Sequence, residues 1–126
     1  MPDTIPLRTF PALRGRRVLV VEDEYLLAED VAEELERLGA TVVGPVPSMR
    51  EALALVAGEP APEAAILDIN LGGEMVYPVA DALRERGVPF VFATGYDAEA
   101  IPEAYAHVPR IEKPVALREV TGALAG

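Results

Sequence analysis

A chain of 126 residues fits one domain with a single sizeable core, and with no cysteine it can form neither a disulfide framework nor a Cys-based zinc site. Its 21 acidic residues against 11 basic ones give a formal net charge of -10, which opposes direct nucleic-acid binding. No apolar run approaches the roughly 18 residues of a membrane span, and Met1-Pro2-Asp3 opens no apolar core of signal-peptide length, so a cytoplasmic setting without membrane attachment is expected.

Residues 1–16 carry Pro2, Pro6 and Pro11, which break helical continuity and predict a flexible leader ahead of a domain over 17–126. Leu7, Phe10 and Leu13 at three-residue spacing leave a short packed helical turn open there. Arg8, Arg14, Arg16 and Arg17 read as a solvated arm.

From Arg17 strand and helix alternate. Val18 to Val21 reads as a buried strand; Leu27, Val31, Leu35 and Leu38 share one helical face that stops at Gly39. Thr41 to Val46 is a second strand, and Ser48-Met49-Arg50-Glu51 has the spacing of a capping box that opens a helix running to Gly58. A third strand spans Ala64 to Leu67, a third helix runs from about Pro78 to Arg86, and a fourth strand spans Val88 to Ala93. Pro102 falls within the next helical stretch, Ala98 to Ala106, and predicts a short or irregular helix. His107 to Ile111 reads as a fifth strand, and Leu117, Val120 and Leu124 mark a last amphipathic helix. This alternation predicts a parallel sheet covered on both faces, whose ligands bind at the carboxyl ends of the strands.

Those ends carry the chemistry. Glu22-Asp23-Glu24 closes the first strand, Asp68 the third, Thr94 the fourth, and Lys113 follows the fifth. Carboxylates delivered to one sheet edge repel unless a cation joins them, so a divalent ion is implied. Mg²⁺ takes oxygen ligands and keeps several waters, which suits Asp23 and Asp68 as direct ligands, Glu22 through a water and the backbone carbonyl of Asn70. Phosphoryl transfer needs cationic groups and donors fixed around the transferred group, here the ion, Lys113 and Thr94, and an aspartate can itself be the acceptor, which nominates Asp68. His107 is the one histidine, which leaves a serine triad a single possible base, and as a strand residue it reads as structural. No nucleotide-binding glycine fingerprint is present, and Gly72-Gly73 is read only as flexibility beside the site. Taken singly, each site residue also has a bland reading, as a helix cap, a turn or a surface charge. Their joint placement at four strand ends argues otherwise.

Over about residues 16–125 the sequence resembles the receiver domain of two-component response regulators. Val20-Val21-Glu22-Asp23-Glu24 is similar to the acidic metal-binding strand end, Leu67-Asp68-Ile69-Asn70-Leu71 to the phosphoacceptor segment, Ala93-Thr94-Gly95 to the hydroxyl switch and Glu112-Lys113-Pro114 to the lysine-proline pair. The resemblance implies a flavodoxin-like, doubly wound five-stranded parallel sheet in the order 2-1-3-4-5 with five helices. It also implies Mg²⁺-dependent phosphotransfer from a phosphohistidine on a sensor kinase to Asp68. The stretch Pro89-Phe90-Val91-Phe92-Ala93-Thr94-Gly95-Tyr96 further resembles the FAT GUY subgroup, which implies a bacterial stand-alone regulator paired with kinases of the HWE or HisKA2 type, in a stress or phosphorelay pathway. Such a protein is a phosphoprotein of signal transduction that catalyses only its own phosphorylation and dephosphorylation.

One departure stands out. Many receivers carry an aromatic residue three positions before the lysine, and here that position is Arg110. The common threonine-to-aromatic switch is therefore in question, and Tyr96 is the other candidate for the moving ring, beside a reading in which it only covers the site. The mobile signalling surface is expected on the fourth helix, fifth strand and fifth helix. A haloacid dehalogenase enzyme would want an aspartate where Asn70 stands, and a phosphorylation-independent pseudo-receiver is the remaining alternative.

Overall fold

The computed structural model describes residues 14–94 and 101–112. Within them the chain forms β1 (Arg17–Val21), α1 (Tyr25–Arg37), β2 (Thr41–Val46), α2 (Met49–Ala57), β3 (Ala64–Asp68), β4 (Asn70–Leu71), β5 (Glu74–Met75), α3 (Tyr77–Glu85), β6 (Phe90–Thr94), a 3₁₀ turn (Glu103–Tyr105) and β7 (Arg110–Glu112). The main sheet is parallel and runs β2-β1-β3-β6-β7, so its five strands take the expected 2-1-3-4-5 order; β4 and β5 form a separate two-stranded ribbon.

Strands buried on both faces must be apolar at every position, and the β1 and β3 runs follow this rule. Alternate side chains divide between two cores. Leu19, Val21, Ala65, Leu67, Phe90 and Phe92 pack with Ala52 and Val56 of α2 and Val79, Ala80 and Leu83 of α3. Val18, Val20, Ala64, Ile66, Val91 and Ala93 pack with Val31 and Leu35 of α1. A side-chain period of two along each strand thus sends neighbouring residues to different helices.

Each helix follows from local chemistry. The Ser48 hydroxyl accepts the Glu51 backbone N–H at 3.2 Å and donates to the Glu51 carboxylate at 2.9 Å, which fixes the first turn of α2. Pro78 sits in the first turn of α3, where a missing N–H costs nothing. β2 is an edge strand among the described residues, a place where Pro45 is tolerated. Gly44 just before it has φ +94, and a Cβ there would stand 2.8 Å from the Val46 nitrogen and 3.2 Å from the Val20 carbonyl oxygen. No other residue fits at that irregularity between β1 and β2.

Two expectations are corrected. The fifth strand of the sheet covers 110–112, not 107–111. Ala106 and Val108 donate their N–H groups back to Glu103 and Tyr105, which keeps 103–108 coiled, and Pro109 has no N–H to offer a sheet. His107 consequently lies exposed in a turn and not on a strand. The second correction concerns Gly72-Gly73, which is the ordered turn of the β4–β5 hairpin and not mere flexibility. Both glycines have positive φ, as a two-residue hairpin of this type requires, and the Asn70 side-chain oxygen accepts the Gly73 N–H at 2.7 Å. Of the irregular fourth helix, the 3₁₀ turn after Pro102 is what the described residues include. The leader through residue 13 and the last helix lie outside them.

Candidate functional site: an acidic cluster at the carboxyl ends of the strands

Register decides what meets what. Val21 pairs with Leu67 and Asp68 with Ala93, so Glu22, one step past Val21, comes level with Asp68 on the neighbouring strand. Asp23 follows in the loop to α1. Carboxylate oxygens of Glu22, Asp23 and Asp68 all lie within 4.8 Å of one another. Glu22 is 7% and Asp68 5% exposed, whereas Asp23 opens to solvent.

The surroundings hold these groups in place. The Glu22 N–H donates to the Val46 carbonyl at 3.0 Å, which ties the strand end to β2. The Glu22 side chain accepts the Glu24 N–H at 3.1 Å. Glu24 stands at the N-cap of α1 without a side-chain cap hydrogen bond, so this contact places the Glu22 carboxylate beside the positive end of the helix dipole. On the other side, Ile69 and Leu71 are buried and anchor the hairpin that begins directly after Asp68. The Val76 N–H closes its base on the Ile69 carbonyl at 2.8 Å.

Three oxygen donors that converge on one point are chemically suited to a hard divalent cation, and their mutual repulsion in a half-buried setting favours one. A pocket of about 210 Å³ opens beside them, lined by Glu22, Asp23, Tyr25, Ala28, Glu29, Pro45 and Pro47. Within it Glu29 accepts a hydrogen bond from Tyr25, and this bond with the carboxylate charge raises the phenol's pKa above its ordinary value.

The other expected residues fall as follows. Thr94 ends β6 and pairs in register with Glu112, which directly precedes Lys113. Lys113 and Tyr96 lie outside the described residues. Asn70 opens β4, where its side chain holds the hairpin turn. Arg110 begins β7 opposite Phe92 and donates to the Ala106 carbonyl at 3.2 Å.

Sequence reasoning missed an aromatic group on the α3 side of the sheet. Tyr105 stacks on Tyr77 with centroids 4.5 Å apart, donates to Asp81 at 2.7 Å and lies 5.3 Å beneath the Arg84 guanidinium. Phe92 completes the cluster edge-on. Burial, then the hydrogen bond to Asp81, pushes the Tyr105 phenol pKa up. The signal available was Tyr77, Asp81 and Arg84 at helical spacing on one face of α3.

A doubly wound parallel sheet with an acidic cluster at its carboxyl edge defines a class of ligand-binding α/β domains. No protein-family model matches the chain. It is 42% identical to SdrG from Sphingomonas melonis Fr1, covering 87% of this chain and 93% of that one with a TM-score of 0.76. It is also similar to a response regulator protein from Burkholderia pseudomallei, solved with a phosphorylated aspartic acid, a calcium ion and citrate, at 26% identity over 87% and 66% of the two chains, TM-score 0.71. The phyllosphere-induced regulator PhyR of Methylorubrum extorquens is 32% identical over 91 residues, which is 71% of this chain and 34% of PhyR, so this chain spans about a third of that regulator's length. The chain belongs to the response regulator receiver domains.

Proposed function

We propose that this receiver accepts a phosphoryl group on Asp68 and uses it to change a protein-binding surface. The observation that carries the reading is the meeting of Glu22, Asp23 and Asp68 at one point, at the strand ends where such sheets bind ligands. The donor is a phosphohistidine on a sensor histidine kinase or phosphotransfer protein. Its nitrogen–phosphorus bond breaks while an Asp68 carboxylate oxygen bonds phosphorus, which leaves an acyl phosphate on the receiver. Membership of the family supports a kinase partner in general. The FAT GUY resemblance extends this to a bacterial phosphorelay with HWE or HisKA2 kinases.

Mg²⁺ held by Asp23 and Asp68, with Glu22 through a water and the Asn70 carbonyl, would neutralise charge on the transferring phosphoryl oxygens. The chain's own residues do the rest. Asp68 is nearly buried, which shields an acyl phosphate from water. Glu22 is fixed by the Glu24 N–H and keeps the acidic cluster assembled. Thr94 and Lys113 are assigned to the new phosphoryl oxygens, as hydroxyl donor and cation, and Tyr96 or Arg110 to the relay outward. The reaction changes the protein itself and not a separate substrate.

Beryllofluoride on an aspartate stands in for the acyl phosphate, so amide NMR during a beryllofluoride titration in Mg²⁺ tests the reading. Saturable shifts around Asp68 in the wild type, absent in Asp68→Asn, are expected. A folded wild-type spectrum that does not respond would favour the pseudo-receiver.

A further inference from the structure

The hairpin that follows Asp68 brings one backbone position against the acidic cluster. Its two turn residues are both glycines with positive φ, +63 at Gly72 and +101 at Gly73, yet they face different surroundings. A Cβ on Gly72 would stand 3.9 Å from an Asp23 carboxylate oxygen, in ordinary contact, whereas a Cβ on Gly73 would meet nothing within 4 Å. The hairpin cannot easily turn to exchange these roles. Asn70 pairs with Met75 and Leu71 with Glu74, Leu71 is buried, and the Gly73 N–H is held by the Asn70 side chain.

Turn geometry explains why both residues are glycine, but it does not explain what the first of them leaves open. The space next to Asp23 is the solvent side of the cluster, because Glu22 and Asp68 are buried and Asp23 is exposed. Waters of a bound divalent ion, and then the oxygens of an incoming phosphoryl donor, must occupy that side. A side chain at position 72 starts within one atom's reach of it.

We infer that residue 72 is the affinity-setting position of the cation site: glycine there keeps the open side of the ion clear, and any side chain placed there sets ion affinity by its charge. The inference rests on the proposed phosphoacceptor reading, in which a divalent ion joins Asp23 and Asp68. A unit charge carried to the solvent side of the ion on a flexible side chain, several Å from it and partly screened, changes the ion's affinity about tenfold, and a charge pointing into open solvent does far less.

A charge series at the two turn positions tests this, with Mg²⁺ affinity read from amide shifts of the full chain and the spectrum itself reporting folding. Gly72→Lys should weaken Mg²⁺ about tenfold and Gly72→Asp should strengthen it severalfold. Gly73→Lys and Gly73→Asp should each stay within about threefold of the wild type. Backbone strain is the same for Lys and Asp at one position and could not reverse sign with charge. Equal effects at 72 and 73, or two changes of the same sign at 72, would overturn the inference. A wild type that binds no Mg²⁺ would instead overturn the phosphoacceptor reading beneath it.

Discussion

The two ends of the central sheet handle charge in opposite ways. At the amino ends of β1 and β3, charges come in opposite signs: Glu63 accepts the Arg17 backbone N–H at 3.0 Å and the Arg16 guanidinium at 3.1 Å, and Arg17 donates to the Ala61 carbonyl at 2.7 Å. At the carboxyl ends of the same strands, Glu22, Asp23 and Asp68 crowd together with like sign. The amino edge pairs its charges within the chain, Glu63 with Arg16 and Arg17. The carboxyl edge gathers like charges, an arrangement that a bound cation would relieve.

The contrast can be broken by substitution. The largest effect belongs to Asp68→Asn, which should abolish the beryllofluoride response and lower Mg²⁺ affinity tenfold or more, as a charged ligand is lost. Mg²⁺ itself should stabilise the wild type by about 2.7 kcal/mol at one hundred times its dissociation constant, read from denaturant unfolding, and Asp68→Asn should lose about half of that gain or more at the same concentration. At the amino edge the pattern inverts. Arg17→Met removes the hydrogen bond to Ala61 and should cost about 1–2 kcal/mol of stability while Mg²⁺ affinity stays within about twofold.

The smallest effect concerns pH. The Arg17 backbone N–H, then the Arg16 guanidinium, lower the Glu63 pKa below its ordinary value of 4.5. A depressed carboxylate stabilises the fold above its unfolded-state pKa and loses that contribution as pH falls through the folded-state value. The stability difference between wild type and Glu63→Gln should therefore be steady near neutrality and close as pH drops below about 4.5. A difference that persists in acid would remove Glu63's charge from the account of this edge.

What the sequence made legible follows the same division. The parallel sheet and its buried strands were readable because strands alternating with helices, and covered on both faces, must be apolar throughout, as Val18 to Val21 and Ala64 to Leu67 are, whereas the strand order came only from the family resemblance. The meeting of Glu22 and Asp23 with Asp68 was readable because a carboxylate directly after such a run has to emerge at the strand's end. The β4–β5 hairpin was not read, since two-residue strands are too short for any periodicity, although Gly72-Gly73 is a hairpin signal in itself. His107 was misplaced for a different reason: His107-Val108 looks strand-like locally, while Pro109 and the backward hydrogen bonds of Ala106 and Val108 override that preference. Tyr105 escaped notice because its partners Tyr77, Asp81 and Arg84 lie more than 20 positions upstream, a pairing only tertiary structure creates.

The most direct test of the carboxyl edge as a phosphoacceptor is intact-mass measurement after incubation with a small-molecule phosphodonor such as acetyl phosphate. The wild type should gain one phosphoryl group in the presence of Mg²⁺, lose the gain when the ion is chelated, and show none as Asp68→Asn. A wild type that stays unmodified with Mg²⁺ present, or an Asp68→Asn variant modified as readily as the wild type, would contradict the assignment of Asp68.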